Sequence, residues 1–229
     1  GSGRGSIRMF NAALAATPAG AEMLKGPLTA DAINSEEFAD AFRTVATLDQ
    51  QNGSANSSVN ANDFAADFNN GLSAVFINGV WGASQFAGSD NFVSCIYPNS
   101  VAISSANTGL YVANDLSDAQ KELALEFIKY MTSEEVQSRY FLETSSNPIN
   151  ENVDIQKLAQ ESGDPTALKL AEACDKCNKA DTIVLAIDVC WGNDVGGALQ
   201  NKFAECAVAG TDIEAKLAEL QAELTALIG

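Results

Sequence analysis

The 229-residue chain has no histidine. That absence excludes Ser-His-Asp and Cys-His catalysis, histidine metal ligands and a histidine general base. Carboxylates, lysines and cysteines remain as chemical groups. Basic residues are scarce: 13 Lys and Arg stand against 30 Asp and Glu, a formal net charge of −17. A surface of that sign repels phosphate backbones and disfavours nucleic acid as a partner. The sequence holds no run of roughly 20 apolar residues that would span a bilayer, and no signal peptide. Its first stretch, GSGRGS at residues 1–6, reads as an expression or linker remnant outside the fold.

Enough is present to build a core. The chain is 46% hydrophobic and 19% charged, unlike a disordered tail. Its length suits one large domain or two small ones. Five cysteines, Cys95, Cys174, Cys177, Cys190 and Cys206, leave at least one unpaired within the chain. Cys174 and Cys177 form a CxxC, compatible with redox chemistry or half of a zinc site. With no histidine and no second CxxC, no metal site is expected. Ordinary buried thiols are the simpler reading.

Helical signals dominate. IRMFNAALAA at 7–16 reads as a short helix broken by Thr17-Pro18 and Ala19-Gly20. Ser35-Glu36-Glu37 starts another, with Phe38, Phe42, Val45 and Ala46 on its apolar face. NGSANSSVN at 52–60 reads as a polar loop. A helix with Phe64 and Phe68 stops at Asn70-Gly71. Ser73–Ile77, Phe92–Ile96 and Leu110–Ala113 read as strands. Ser117…Gln120 is a capping box, and Leu123, Phe127 and Met131 share one side of the helix behind it. Ser133 opens a helix with Val136, Tyr140 and Phe141 inward. Asp164-Pro165 opens another, residues 191–209 a further one, and Asp212 precedes a last amphipathic helix. The pattern is α/β or α+β with helices in excess.

Three segments resemble the family 1 extracellular solute-binding proteins, the maltose-binding-protein-like receptors of ABC importers. FAADFNNGLSAVFINGVWGASQF carries Phe68, Gly71, Ala74, Asn78, Gly79 and Trp81 at family positions. GLYVANDLSDAQKELALEFIKYMTSEEVQSRY carries Ala124, Phe127, Ile128, Thr132, Ser133, Gln137 and Tyr140. Trp191 and AVAGTDIEAKLAELQAEL resemble the closing part of the family pattern. The family is roughly twice this length.

The resemblance therefore implies a helix-rich α/β fold of the type II periplasmic-binding-protein kind. The chain would be mostly the C-terminal lobe, with most of the N-terminal lobe absent. Residues 7–100 and 151–229 would form the C-terminal lobe, and 101–150 a crossover belonging to the other lobe. A piece lacking its partner lobe could self-associate through exposed apolar surface.

The resemblance also implies a non-catalytic receptor for a solute, carbohydrate above all, with no cofactor. The full-length parent would be extracellular or periplasmic, a membrane-anchored lipoprotein that meets an ABC permease. Trp81 would be an aromatic platform for the apolar face of a sugar ring; its alternative is a core tryptophan. Asn78 would bind a hydroxyl, or form a turn. Trp191, Asn193 and Asp188 would line the same cleft from a helix start, with a core role for Trp191 as the alternative. Thr108-Gly109 would allow close approach or a hinge, or make a simple turn. Two other functions compete. A CxxC oxidoreductase needs a low-pKa Cys174 at a helix N-terminus, whereas the sequence places it late in a helix. A helical interaction module would use the acidic terminal helix.

Overall fold

The structure, a computed structural model, describes residues 4–52, 61–86, 92–105 and 109–229. Residues 53–60, most of the expected polar loop, and Thr108 lie outside the described residues.

Helices follow in chain order as α1 (Arg4–Ala15), α2 (Pro18–Met23), α3 (Ala30–Ile33), α4 (Glu36–Asn52) and α5 (Ala61–Asn69). A 3-10 helix (Val80–Phe86) and strand β1 (Val101–Ser104) come next. Then come α6 (Asp118–Met131), α7 (Glu134–Thr144), α8 (Ile155–Ser162) and α9 (Pro165–Asn178). Strand β2 (Thr182–Leu185), α10 (Ile187–Cys190), α11 (Asn193–Cys206) and α12 (Ile213–Ile228) complete the chain. These elements form two compact units, one of residues 1–77, 96–107 and 179–229, the other of 78–95 and 108–178. The cuts differ from the lobe boundaries expected at 100/101 and 150/151.

The first unit is built on α1, α4, α11 and α12. Ile7, Phe10, Asn11 and Leu14 recur at helical spacing and are all buried. Phe10 meets Phe38 edge-on at 5.1 Å, and Phe42 stacks on Phe203 at 5.0 Å. Helix α12 turns Leu217, Leu220 and Leu224 into the same core, capped by Asp212. It is thus a core helix and no free seam. Helix α11 runs through Gly196-Gly197 because packing of Val195, Leu199 and Phe203 outweighs glycine's poor helix propensity.

Several local signals hold. Ser35 Oγ accepts from Phe38 N at 3.2 Å. Gly71, at φ +72°, ends α5, while Leu72 N donates to Asp67 O at 2.8 Å. The Ser117–Gln120 capping box is complete. Other readings need correction. Helix α1 reaches back to Arg4, into the stretch read as a remnant; Ser6 hydrogen-bonds Asp49 of α4. Ala19-Gly20 does not break the chain: Thr17 caps α2 and Gly20 lies inside it. A Cβ on Gly20 would sit 1.9 Å from Leu14 O, so glycine serves close packing there.

The three expected strands are irregular segments. Val75, Val93, Leu110 and Tyr111 are exposed. An extended run becomes a strand only when a neighbour completes its hydrogen bonds, and none of the described residues pairs with these runs in a ladder. The one described sheet is a parallel pair elsewhere, with Val101 opposite Thr182 and Ser104 opposite Leu185. Ser100 Oγ accepts from Asp181 N at 3.0 Å beside the first rung.

The second unit has a smaller core, made of Phe141, Ala159, Ala167, Leu170, Ala171 and Cys174. Of the residues expected inward on α7, Phe141 is buried, Val136 is half-buried and Tyr140 is exposed. Helix α6 buries no residue; Leu123 and Phe127 on its apolar side are exposed. Gln137 joins the α6–α7 turn to the next segment. Its Nε2 donates to Met131 O at 2.8 Å and its Oε1 accepts from Ile149 N at 2.9 Å.

Candidate ligand-binding site

The expected ligand residues fall in both units. Asn78, Trp81 and Gly109 belong to the second, and Asp188, Trp191 and Asn193 to the first.

Trp81 lies in the 3-10 helix, which places residues i and i+3 on one face. Val80 and Ala83 share the face that packs against the core of α8 and α9. Trp81 and Ser84 fall on the next face; Ser84 Oγ donates to Trp81 O at 3.1 Å. The indole is 55% exposed, so the core alternative does not describe it. Its ring folds over Gly79, where a Cβ would come within 2.2 Å of two ring carbons. Glycine at 79 thus makes room for the tryptophan. Its φ lies outside the left-handed region, so turn chemistry alone does not account for it. Asn78 is folded into the same turn: its Oδ1 accepts from Gly79 N at 2.9 Å, and its amide lies against Gly82. Gly109 is exposed and faces the Tyr111 ring at ordinary contact distance.

Helix α9 also holds the backbone of Phe92 and Ser94. Lys169 Nζ donates to Phe92 O at 3.0 Å and sits 5.1 Å from the centroid of the Phe92 ring. Lys176 Nζ donates to Ser94 O. Between the two lysines, Glu172 accepts from Lys176 Nζ at 2.7 Å and lies 3.8 Å from Lys169 Nζ. The hydrogen bond from Lys176 holds the Glu172 carboxyl below the usual glutamate range, against partial burial. Sequence reading overlooked this cluster. Its signal is Lys169, Glu172 and Lys176 on one helix face at spacings of three and four.

In the first unit, Asp188, Trp191 and Asn193 gather where α10 meets α11. Asp188 accepts a bidentate pair from Arg8, with Nη1–Oδ1 2.6 Å and Nη2–Oδ2 3.1 Å. Asn11, fully buried, donates through Nδ2 to Leu185 O at 3.3 Å and accepts Ile187 N at 3.0 Å. Helix α1 thus ties down the whole β2–α10 corner. Trp191 is 8% exposed and stacks on Phe38 at 6.3 Å. Its Nε1–H donates to Met23 O at 3.2 Å. The core alternative accounts for these contacts: the ring is packed and its one donor is used. Trp191 precedes α11 rather than heading it; Gly192 is the N-cap and Asn193 the first, exposed, helical residue.

Two concavities lie in the first unit. One, of about 270 Å³, runs beside β2 with Leu24 and Lys25. The other, of about 350 Å³, lies between Thr17 and the acidic start of α4. Neither is lined by an expected ligand residue.

The CxxC lacks what redox chemistry needs. Cys174 is the tenth of fourteen residues in α9 and fully buried. Burial pushes its thiol up to about 12, with Cys177 adding to the rise. Burial raises Cys177 too, and holds Cys190 and Cys206 at about 11. A thiolate nucleophile requires the opposite shift. All five cysteines are unpaired within the chain. Among the described residues, no cluster of Cys, Asp or Glu could hold a metal ion, and no helix is long and apolar enough to cross a membrane.

Comparison with known proteins points the same way. No curated protein matches the chain. One solved structure that does is a Streptococcus pneumoniae solute-binding protein in complex with the blood group A-trisaccharide, 39% identical with a TM-score of 0.90. The match covers 97% of this chain but 57% of that protein, so the chain spans little more than half its relative's length. The family model for bacterial extracellular solute-binding proteins matches residues 2–166, well over half of the chain. The chain therefore belongs to the bacterial extracellular solute-binding protein family.

Proposed function

We propose that the chain is part of a receptor that captures a carbohydrate without chemical change and delivers it to an ABC permease. The observation that carries this reading is the exposed indole of Trp81. It is a rigid flat surface seated on Gly79 and backed by a packed helix, suited to cover the C–H face of a sugar ring. Support comes from the relative that holds a blood group trisaccharide. Closure around the ligand would follow the hinge motion of two-lobed receptors. Asn193 and Gly109, both exposed, remain candidates for polar contact. Asp188 would act through the Arg8 pair, and Asn78 and Trp191 as supports.

In the full receptor, a lipid anchor would keep the protein at the outer membrane face near its permease. The lobe grouping of 7–100 with 151–229, apart from 101–150, belongs to this proposal. Limited proteolysis tests it: cutting near 100 and 150 supports that grouping, and cutting near 107 and 178 supports the contact units. Self-association is read by light scattering, where a dimer abolished by Phe127→Ser on the exposed face of α6 supports it. Saturation-transfer NMR with millimolar blood group A-trisaccharide tests ligand class. Transfer to the sugar, with none to a control amino acid or peptide, supports the reading; the reverse overturns it.

A further inference from the structure

We propose that Asn78 is a site of self-modification: the backbone nitrogen of Gly79 attacks the Asn78 side-chain amide, and the turn that seats Trp81 becomes a mixture of aspartyl and isoaspartyl forms. Three Asn-Gly pairs occur in the chain, at Asn52, Asn70 and Asn78. Glycine after asparagine favours this reaction because no Cβ crowds the attacking nitrogen. By sequence the three pairs are alike. Gly53, which completes the first, lies outside the described residues. The folded backbone separates the other two.

At Asn70-Gly71 the backbone is locked. Asn70 N donates to Ala66 O at 2.9 Å, Gly71 N to Phe68 O at 3.0 Å and Leu72 N to Asp67 O at 2.8 Å. The nitrogen that would attack is committed to the end of α5. At Asn78-Gly79 it is not. Gly79 N has one described acceptor, Oδ1 of Asn78 itself, at 2.9 Å. That bond sets the nitrogen beside Cγ, the carbon it must reach, so proximity is arranged in advance. Asn78 is exposed, and no described ladder holds residues 72–79. Water and hydroxide reach the amide, and the backbone is free to close the ring.

The step balances. Hydroxide draws the proton from Gly79 N, the nitrogen bonds to Cγ, and the Cγ–Nδ2 bond breaks. Nδ2 leaves as ammonia after taking a proton from water, which regenerates hydroxide. Water then opens the cyclic imide at either carbonyl. Cleavage between Gly79 N and Cγ gives aspartate; cleavage between that nitrogen and the backbone carbonyl gives isoaspartate. The two products differ at the turn. Aspartate keeps an oxygen for Gly79 N. Isoaspartate inserts a methylene into the backbone before Gly79, under a ring so close that a Cβ there would come within 2.2 Å. Isoaspartate therefore displaces Trp81, and aspartate leaves it in place. The family is extracellular, out of reach of cytosolic methyltransferases that repair isoaspartate, so the change accumulates with age.

The test ages the folded chain at mildly alkaline pH, beside the same chain unfolded in guanidinium. Chymotrypsin, cutting after Phe68, Leu72, Phe76 and Trp81, separates Asn70 in residues 69–72 from Asn78 in residues 77–81. Mass spectrometry reads deamidation in each peptide. The unfolded chain supplies the ratio of rates that sequence alone sets. Folding is expected to raise the Asn78 to Asn70 ratio by about twofold to tenfold, the factor withheld by an ordinary hydrogen bond on Gly71 N. A ratio no higher than in the unfolded chain overturns the inference.

Tryptophan fluorescence reads the consequence. The aged chain is expected to depart from an Asn78→Asp variant, and treatment with isoaspartyl methyltransferase to bring the two together. An aged chain rich in isoaspartate that already matches the variant overturns the displacement of Trp81. Neither readout needs a sugar, so both are decided apart from the receptor reading.

Discussion

Two lysine–glutamate clusters with the same chemistry do different things in the two units. In the first unit, Lys202 and Lys216 meet Glu205 and Glu219 between α11 and α12, at 2.8 to 3.6 Å. Those helices are already joined by Leu199, Phe203, Leu217 and Leu220, all buried. The charges add to a core already joined by these side chains, with Lys202 itself buried against Glu205 and Glu219. In the second unit, Lys169, Glu172 and Lys176 join a helix to the backbone of Phe92 and Ser94, outside any regular element. The same ion pairs thus join two helices in one unit and a helix to irregular backbone in the other, and in both the energy of each exposed pair stays small.

The two tryptophans mark the same contrast. Trp191 is packed with its donor used; Trp81 stands out on a segment held from behind. One belongs to the stability of its unit, the other to its surface.

The widest gap should appear in the cores. Phe203→Ala should cost about 3–5 kcal/mol, whereas Phe127→Ala on the bare face of α6 should stay within about 0.5 kcal/mol. Urea unfolding of the two variants checks this. Equal losses would mean that α6 is packed and that the contrast between units fails.

A smaller gap separates the tryptophans. Trp191→Phe leaves the Met23 carbonyl without its donor and should cost about 1–3 kcal/mol. Trp81→Phe should change stability by no more than about 0.5 kcal/mol. Thermal melts decide the order.

The smallest effect is the pH response. Glu172 and Glu205 are held low by their lysines, and Glu214 by Arg43. Their contribution is complete above the ordinary glutamate value of 4.5 and is lost as pH falls below it. Asp49 runs the other way: burial raises it, with Ser6 opposing. Its contribution is present at low pH and lost as pH rises through its folded value. Unfolding followed from pH 7 to pH 3 should show net loss of stability, reduced by high salt because most of these groups are exposed. A gain on acidification would place Asp49 above all the glutamates together.

Much of this was legible in the residues. Caps at Ser35, Ser117, Ser133 and Asp212, the stop at Gly71 and the apolar face of α4 are local signals, and local hydrogen bonds decide them. The strands were not legible, because pairing is not local. VAIS and TIVL are four residues each, and each is a strand only opposite the other. Longer apolar runs at 73–77 and 92–96 looked stronger but find no ladder partner among the described residues. The site divided in the same way. For Trp81 the sequence left a surface platform and a core tryptophan both open; the structure exposes it and adds why glycine stands at 79. Trp191 carried the same residue type, yet a partner remote in sequence, Phe38, decided its burial.

The most direct measurement is saturation-transfer NMR of blood group A-trisaccharide on the chain and on its Trp81→Ala variant. A sugar platform at Trp81 predicts clear transfer to the C–H protons of one ring in the chain itself, and its loss in the variant with folding unchanged. Equal transfer in both, or transfer only to a solute that is no sugar, would contradict it.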